Sequence, residues 1–328
     1  MKSMLKTLTT VCVLALSLTL GGMSAANAAK PNRNQNWSHR HILFLIWSYE
    51  SNPFFGPMVN GVKDAEKAQD VTVDIKYGNE NMARMKNIIE TAIANGTDGL
   101  AVTIPDDNAL KDVLCNAMKK GIPVIAFNID DSHHGAPGST CRLAFVGQDF
   151  VKAGYALGKL AVKQFHLGKG DLVFTPVEAP QAVYAVQRHA GVAKALAEVG
   201  AKTEILGTGN DHAKALSLMT QYLLGHPDTK AVIGLGQTPT SQAVRAIKQA
   251  GLNIPAAGFD ISQGIIQNLE NDKLAAAVDQ QPYTQGYYTI AQMADLLKFG
   301  LAPSSMATGG LITKDNVGLA KKWAGITR

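Results

Sequence analysis

HILFLIWSYESNPFFGPMVNGVKDAEKA, residues 41–68, contains the pattern from which the fold of the whole chain is predicted. Its early apolar run, ILFLIW, is typical of a strand that is buried on both faces of a parallel sheet. Asn52-Pro53 ends this strand, and the residues after it have the amphipathic pattern of a helix. Phe54 and Phe55 lie in the turn, which in an open α/β sheet is outside the carboxyl end of the strand, where ligands bind. The two rings therefore either form a wall of a ligand site or pack beneath the helix.

The alternation of apolar strands and amphipathic helices continues along the chain in two series. The first series ends near residue 129 and the second runs from 144 to 280, with a turn-rich loop at 131–140 between them. Short connections between strands and helices indicate parallel, doubly wound sheets. We therefore predict an α/β protein with two Rossmann-like lobes, joined by a multi-strand hinge, whose strand ends face each other across a cleft.

The segment after residue 280 is too short for a third domain, so we expect it to return to both lobes. GGLITKDN, at 309–316, is predicted as a late strand within it. The predicted division is a signal peptide at 1–28, a flexible N-terminus at 29–40, an N-terminal lobe at 41–147 plus 281–308, and a C-terminal lobe at 148–280 plus 309–328.

The first residues have the features of a secretory signal peptide. Lys2 and Lys6 precede an apolar stretch at 11–20, and Ala26-Asn27-Ala28 fits the A-x-A cleavage pattern. We therefore expect export to the periplasm, with a net charge that falls from +5 to +3 when the two lysines are removed. This charge is too small to indicate nucleic-acid binding, and the sequence contains no cluster of basic residues.

Two cysteines, Cys115 and Cys141, follow the signal peptide. Their even number in an exported protein favours a disulfide, although two separate buried thiols are the alternative. No metal or cofactor is expected, because His133-His134 lacks metal-ligand spacing and Gly234-Leu235-Gly236 is followed by Pro239 where a dinucleotide loop has its third glycine. We also expect no catalytic residues, since the sequence has no G-x-S-x-G motif or other nucleophile and base pattern.

Polar and aromatic side chains follow the predicted strands at positions that would line the cleft. Carboxylates, amides and a guanidinium suit a sugar or polyol, because each hydroxyl can both donate and accept, and aromatic faces cover the C–H faces of the ring. Asn128 and Asp130 share one face of a strand, so at least one should reach the cleft. The candidate ligand-binding residues are Asn52, Phe54, Phe55, Asn128, Asp130, Arg188, Asn210, Gln237, Asp260 and Gln280.

Several segments follow one another in a recognisable order: NPFF (52–55), VTIPDDNAL (102–110), GIPVIAFNID (121–130), VGQDFVKAGYALGK (146–159) and KLAAAVDQQP (273–282). Together they resemble the ribose-type periplasmic sugar-binding proteins that serve ABC transporters. The resemblance extends from about residue 41 to 315, and it implies the type I periplasmic binding protein fold, with two lobes and three hinge crossings.

The resemblance also implies ligand contacts for Asn52 and the two phenylalanines after it. In the second half of the chain, Arg188, Asp260 and Gln280 match the family's arginine, aspartate and hinge glutamine. On this basis, we expect alanine at Arg188 or Asp260 to remove ligand affinity with little change in stability.

Other positions depart from the ribose binders. Asn128-Ile129 replaces an aspartate and an arginine, Asn210 replaces an aromatic residue, and Gly236 replaces an asparagine. These losses remove bidentate contacts to a pyranose and make ribose itself a poor candidate. Asp130 or Gln237 could restore one contact after a small backbone shift.

The predicted function is a periplasmic solute-binding receptor that captures a small sugar or polyol between its lobes and delivers it to the permease of an ABC transporter. We expect a monomer, with a chemoreceptor as a second candidate partner. One alternative is a receptor similar to those for autoinducer-2, whose two cysteines are placed similarly to Cys115 and Cys141. An exported α/β enzyme that acts on sugars is the other alternative.

Overall fold

A computed structural model describes residues 39–136 and 139–328 of the chain. The predicted signal peptide at 1–28 and most of the predicted flexible segment lie outside the described residues. Arg40, which was predicted to belong to that flexible segment, is instead the first residue of strand β1 (Arg40–Ile46) and pairs with Asp98 at 2.7 Å. Within the described part of the chain, no helix is both long and apolar enough to cross a membrane.

The first lobe is a six-stranded parallel sheet with helices on both faces. In spatial order its strands are β11 (Met306–Ala307), β5 (Ala144–Gly147), β4 (Val124–Phe127), β3 (Gly99–Val102), β1 and β2 (Val71–Tyr77). One face is covered by α1 (Phe55–Gln69) and α9 (Pro282–Phe299), and the other by α2 (Met82–Ala94) and α3 (Asp107–Lys119).

The second lobe repeats this arrangement. In spatial order its strands are β12 (Gly310–Ile312), β10 (Ala277–Asp279), β9 (Ala256–Phe259), β8 (Thr229–Gly234), β6 (Leu172–Val177) and β7 (Lys202–Gly207). Strand β12 is antiparallel to β10, and the other pairs are parallel. One face carries α4 (Phe150–Gln164) and α5 (Val183–Ala197), and the other carries α6 (His212–Gly225), α7 (Gln237–Gln249), α8 (Gln263–Glu270) and α10 (Val317–Trp323).

The apolar run in β1 is explained by burial on both faces of the first sheet. Ile42, Phe44 and Ile46 pack with α1 and α9, while Leu43 and Leu45 pack in the cluster that includes α2 and α3. All five side chains are at most 2% exposed. A strand with only one buried face would have polar residues at alternate positions. The continuous apolar run therefore indicates that helices cover both faces of the sheet.

Strand order reverses beside the first strand of each lobe, between β1 and β3 and between β6 and β8. Such a switch point leaves a crevice outside the carboxyl ends of the strands, because the helices leave the sheet in opposite directions there. The two crevices belong to one cleft between the lobes. The predicted fold class, two doubly wound α/β lobes, is confirmed.

Three connections cross between the sheets: β5 to α4, β10 to α9, and β11 to β12. The predicted late strand at 309–316 is present in shorter form as β12, and the sequence did not predict β11, which belongs to the other sheet and precedes the hinge crossing. The buried amide of Gln285 links these connections, since its Nε2 donates to the Gln280 carbonyl and to the Thr308 hydroxyl, each at 3.0 Å. The exact lobe boundaries stay a prediction.

The predicted disulfide is present. Cys115 in α3 is bonded to Cys141, which precedes β5. The bond ties a helix on the outer face of the first sheet to the loop that leads into an edge region of the same sheet. The alternative of two separate thiols is therefore wrong.

Candidate functional site

A cleft of about 300 Å³ lies between the lobes, at the carboxyl ends of their strands. This volume is at the small end of the range for ligand pockets and suits a molecule of monosaccharide size. Nine of the ten residues predicted to bind ligand line the cleft: Asn52, Phe54, Phe55, Asn128, Arg188, Asn210, Gln237, Asp260 and Gln280. Their contact with a ligand stays a prediction.

The turn between β1 and α1 forms the aromatic wall on the first lobe. The rings of Phe54 and Phe55 meet edge to face, with centroids 5.0 Å apart. Phe55 is only 3% exposed and belongs to the core beneath α1, whereas Phe54 is partly buried and packs against that core from outside. Phe55 therefore lines the cleft and also packs beneath the helix, so the two alternatives raised by the sequence are both true of it. Phe54 is the ring with more surface left for a ligand.

Asn52 holds this wall in place. Its Oδ1 accepts a hydrogen bond from the Phe54 amide at 3.1 Å, and its Nδ2 donates to the Ser48 hydroxyl at 3.2 Å. An asparagine side chain that caps its own turn in this way favours the start of the helix three residues later. Asn52 therefore shapes the turn as well as facing the cleft.

Asn128 and Asp130 point to different places after β4. Asn128 has a left-handed backbone, with φ of 59°, and its Nδ2 donates to Gln285 at 3.1 Å beside the hinge. Asp130 does not line the cleft. Its carboxylate instead faces Arg142, which donates to both of its oxygens at 2.5 and 2.6 Å. The residue from this pair that reaches the cleft is Asn128, and the hypothesis that Asp130 replaces a lost contact has no support in this geometry.

Arg188 is the one guanidinium in the cleft lining, and it is 2% exposed. Its Nη1 donates to the Leu235 carbonyl at 2.7 Å and lies 3.3 Å from the Asp260 carboxylate. Three aromatic rings surround the guanidinium carbon, with centroids 4.3 to 5.1 Å away: Phe150, Tyr184 and Phe259. Its Nε is buried and makes no hydrogen bond with any described residue. A buried donor without a partner is unfavourable, so a ligand acceptor at this position would stabilise the site.

Asp260 and Gln280 form the polar floor next to Arg188. Asp260 follows β9 with φ of 69°, a left-handed conformation that aspartate tolerates better than most residues. Its Oδ1 accepts a hydrogen bond from the Gln280 Nε2 at 2.5 Å. The Oε1 of Gln280 is buried and has no hydrogen-bond partner in the part of the chain that the structure describes. Arg188 thus presents a free donor and Gln280 a free acceptor, the pair of functions that one hydroxyl group can satisfy.

Asn210 and Gln237 complete the predicted set on the second lobe. Asn210 is exposed in the loop before α6. Gln237 is the first residue of α7, and its Nε2 donates to the Ile261 carbonyl at 2.9 Å, which leaves its Oε1 available. Both residues are therefore more exposed than Arg188, which is buried.

The predicted ligand-binding set did not include several residues that line the cleft, among them Glu178, Tyr184 and Phe150. Glu178 directly follows β6, so the rule that ligands meet strand ends could have found it. Tyr184 lies four residues before Arg188 on α5, a spacing that puts both on one helix face. Phe150 starts α4, and nothing in its sequence context marks it.

Glu178 and Tyr184 share a hydrogen bond of 3.1 Å, from the Tyr184 hydroxyl to Oε2 of Glu178. Desolvation inside the cleft raises the pKa of the Glu178 carboxyl above its ordinary value, and the nearby Asp260 charge acts in the same direction. Desolvation and the Glu178 charge also raise the pKa of Tyr184 well above 10. The tyrosine is therefore a neutral hydrogen-bond donor at physiological pH.

A separate cluster outside the cleft brings together Asp107, Asp131 and His133, whose ligand atoms lie within 4.8 Å of one another. Asp131 accepts hydrogen bonds from the Thr140 hydroxyl at 2.8 Å and from two backbone amides of the loop, at His133 and Gly135. These bonds account for the buried carboxylate as an organiser of the loop after β4.

Comparisons with known proteins agree with this architecture. The family model described as a periplasmic binding protein domain matches residues 43–301. The ribose import binding protein of Bacillus subtilis is 27% identical, over 90% of this chain and 94% of its own length. The xylose/arabinose-binding protein of Sulfolobus acidocaldarius is 28% identical, over 81% of this chain and 69% of its own.

A solved structure gives the same picture at the level of the fold. The carbohydrate transporter from Acidothermus cellulolyticus, in complex with myo-inositol, superposes with a TM-score of 0.77 at 26% identity. The match covers 88% of this chain and 99% of that protein. All three similar proteins are named as binding or transport proteins, and the prediction that this chain is not an enzyme is confirmed.

Proposed function

This chain belongs to the family of periplasmic binding proteins, and we propose that it captures a small sugar or cyclic polyol between its lobes for delivery to the permease of an ABC transporter. The observation that carries the proposal is the Arg188 cluster. Among the described residues, the buried guanidinium, flanked by three aromatic rings, has an unpartnered Nε, and Gln280, which shares the Asp260 carboxylate with it, has an unpartnered Oε1. This combination supplies polar partners for hydroxyls and apolar surface for a sugar ring.

Closure of the lobes follows from the distribution of these groups. Phe54 and Asn128 belong to the first lobe, whereas Arg188 and Asp260 belong to the second, and all four line one cleft. A ligand that contacts both lobes binds the closed form better than the open form, so it shifts the population toward closure. The permease would then distinguish the loaded receptor by the relative position of its lobes.

Location and partners follow from the family and the predicted signal peptide. Periplasmic binding proteins of ABC importers act outside the cytoplasm, and we place this chain in the periplasm. A chemoreceptor as a second partner is part of the proposal. Action as a monomer remains part of the proposal.

The test is a thermal-shift screen, followed by calorimetry, with D-ribose, D-xylose, L-arabinose, D-galactose, D-allose and myo-inositol. A ligand at a thousand times its Kd stabilises the folded state by about 4 kcal/mol, which is a readily measured shift in Tm. We expect at least one of these compounds to bind. If none changes the Tm at millimolar concentration, the proposal is wrong. Autoinducer-2 belongs in the same screen, because the Cys115–Cys141 disulfide is the feature that this chain shares with its receptors.

A further inference from the structure

Glu178 has a carboxylate in the cleft that accepts hydrogen bonds through both of its oxygens. Oε1 accepts a hydrogen bond from the Thr238 amide at 2.9 Å, and Oε2 accepts one from the Tyr184 hydroxyl at 3.1 Å. A carboxylate has about four acceptor positions, so the group retains capacity for a ligand donor. These two bonds also hold the side chain in one orientation, because their donors are a helix backbone and a tyrosine next to the Arg188 cluster.

Gly236 makes room for this carboxylate. A Cβ atom at position 236 would lie 2.0 Å from Oε2 and 2.5 Å from Oε1 of Glu178. The backbone of Gly236 is extended, with φ of −157°, so its conformation does not itself require glycine. The requirement comes from space: the carboxylate of Glu178 occupies the position where any side chain at 236 would begin.

The charges in the cleft do not balance. Its lining includes the carboxylates of Glu80, Glu178 and Asp260 but only one guanidinium, which belongs to Arg188. Arg188 pairs with Asp260. Among the described residues, neither Glu178 nor Glu80 has a lysine or arginine nitrogen within ion-pair distance. An anionic ligand would therefore meet more negative than positive charge at close range, whereas hydroxyl donors would find strong acceptors.

We infer that Glu178 selects the ligand of this cleft: its carboxylate accepts a hydrogen bond from a hydroxyl of an uncharged sugar or polyol and disfavours ligands that carry a carboxylate or phosphate. This inference rests on the proposed function and narrows its ligand class. Gly236 contributes to this selection, because its lack of a side chain leaves space for the Glu178 carboxylate.

The experiment compares the wild-type protein with Glu178→Gln and Gly236→Ala by calorimetry, using whichever neutral compound of the screen binds the wild type most tightly. Glutamine keeps the size of the side chain but removes the charge-assisted hydrogen bond, so affinity should fall about 10- to 100-fold. Gly236→Ala leaves every charge in place and displaces the carboxylate, so it should weaken binding as well. Glu90→Gln, which removes an exposed carboxylate on α2, is the control for loss of one charge and should leave affinity unchanged.

The second arm measures D-galacturonate and D-ribose 5-phosphate against the wild-type protein, and each should bind at least about 100-fold more weakly than the best neutral compound. An acid or phosphate that binds equally well overturns the inference, and so does a Glu178→Gln variant with unchanged affinity for the neutral compound. If thermal melting shows that Glu178→Gln does not fold, the inference is tested by Gly236→Ala instead, and unchanged affinity of that variant for the neutral compound overturns it. Failure of the wild type to bind any neutral compound is a different outcome, which refutes the proposed function itself.

Discussion

The guanidinium of Arg188 and the carboxylate of Asp260 lie 3.3 Å apart, with only 2% and 8% of their side chains exposed. In a pair this deeply buried, the attraction between the two charges offsets part of the free energy lost by their desolvation, so each residue depends on the other. Arg188 is also bonded to the Leu235 carbonyl, and Asp260 to Gln280. The pair is therefore part of the structure of the second lobe as well as a candidate ligand site, and the expectation that alanine at either position leaves stability almost unchanged needs revision.

Arg188→Ala should destabilise the ligand-free protein by about 3–5 kcal/mol, because it leaves the Asp260 charge buried without a partner. It should also abolish sugar binding. Urea denaturation measures the first effect and calorimetry the second. The double variant Arg188→Ala/Asp260→Ala should lose less stability than the sum of the two single variants, since the second substitution removes the charge left behind. Additive losses would mean that the two residues are not energetically coupled.

Phe54→Ala and Phe55→Ala should separate ligand binding from folding. Phe55 is 3% exposed in the core, so its truncation should cost about 3–5 kcal/mol of stability. Phe54 is partly buried and faces the cleft, so its truncation should reduce sugar affinity by about tenfold, with a stability loss of about 1 kcal/mol. Denaturation and calorimetry on both variants are the measurements. An equal loss of stability in the two variants would contradict the assignment.

Glu178 should make the ligand-free protein less stable as the pH rises. Its pKa is raised in the folded state above the ordinary value of 4.5, mainly by desolvation. Between these two pKa values the folded protein keeps a proton that the unfolded chain has lost, so stability falls as pH increases through that window. The glutamine in Glu178→Gln does not titrate, so the variant lacks this contribution to the pH dependence of stability.

The free energy of unfolding of Glu178→Gln should therefore increase relative to that of the wild type as the pH rises above 4.5. Denaturation midpoints of both proteins across this range test the expectation. Taking the difference cancels the contributions of other groups, such as Asp279, whose pKa is also raised by desolvation. A difference that is constant with pH would show that Glu178 titrates as it does in the unfolded chain.

Removing the disulfide with Cys115→Ser/Cys141→Ser should cost about 3 kcal/mol, because the bond closes a loop of 26 residues in the unfolded chain. The loss should appear equally in the wild type treated with a reductant that reaches the bond. Sugar affinity should be unchanged, since neither cysteine lines the cleft. A large loss of affinity would instead indicate that the bond positions the loop after β4 for ligand binding.

Gly191→Ala should separate α4 from α5 and disturb Arg188. A Cβ atom at Gly191 would lie 2.2 Å from the Val151 carbonyl oxygen, and the helices have no room to accommodate it without moving. We expect a loss of about 1–3 kcal/mol in stability and weaker sugar binding. Gly264→Ala in α8 is the matched control. A Cβ atom there meets no atom within 4 Å, so alanine should be neutral or stabilising by up to about 1 kcal/mol.

Much of the fold could be predicted because its signals are local. The apolar run in β1, the Asn52-Pro53 turn and the regular alternation after it each depend on neighbours in the chain. Strand ends mark the cleft in a parallel α/β fold, so most of the candidate ligand residues could be named without coordinates. Strand β11 could not be predicted, because a pair of residues is too short to produce a strand pattern in the sequence.

The partners of individual polar atoms could not be read in this way, because they depend on residues far apart in the chain. Asp130 looked equivalent to Asn128 until Arg142 was seen to occupy both of its oxygens. Glu178 and Gly236 are far apart in the sequence, and only the fold brings the carboxylate into the space that the missing side chain of Gly236 leaves. The order of residues thus determined which strand ends meet at the cleft, and packing in three dimensions determined which of their atoms remain free to bind a ligand.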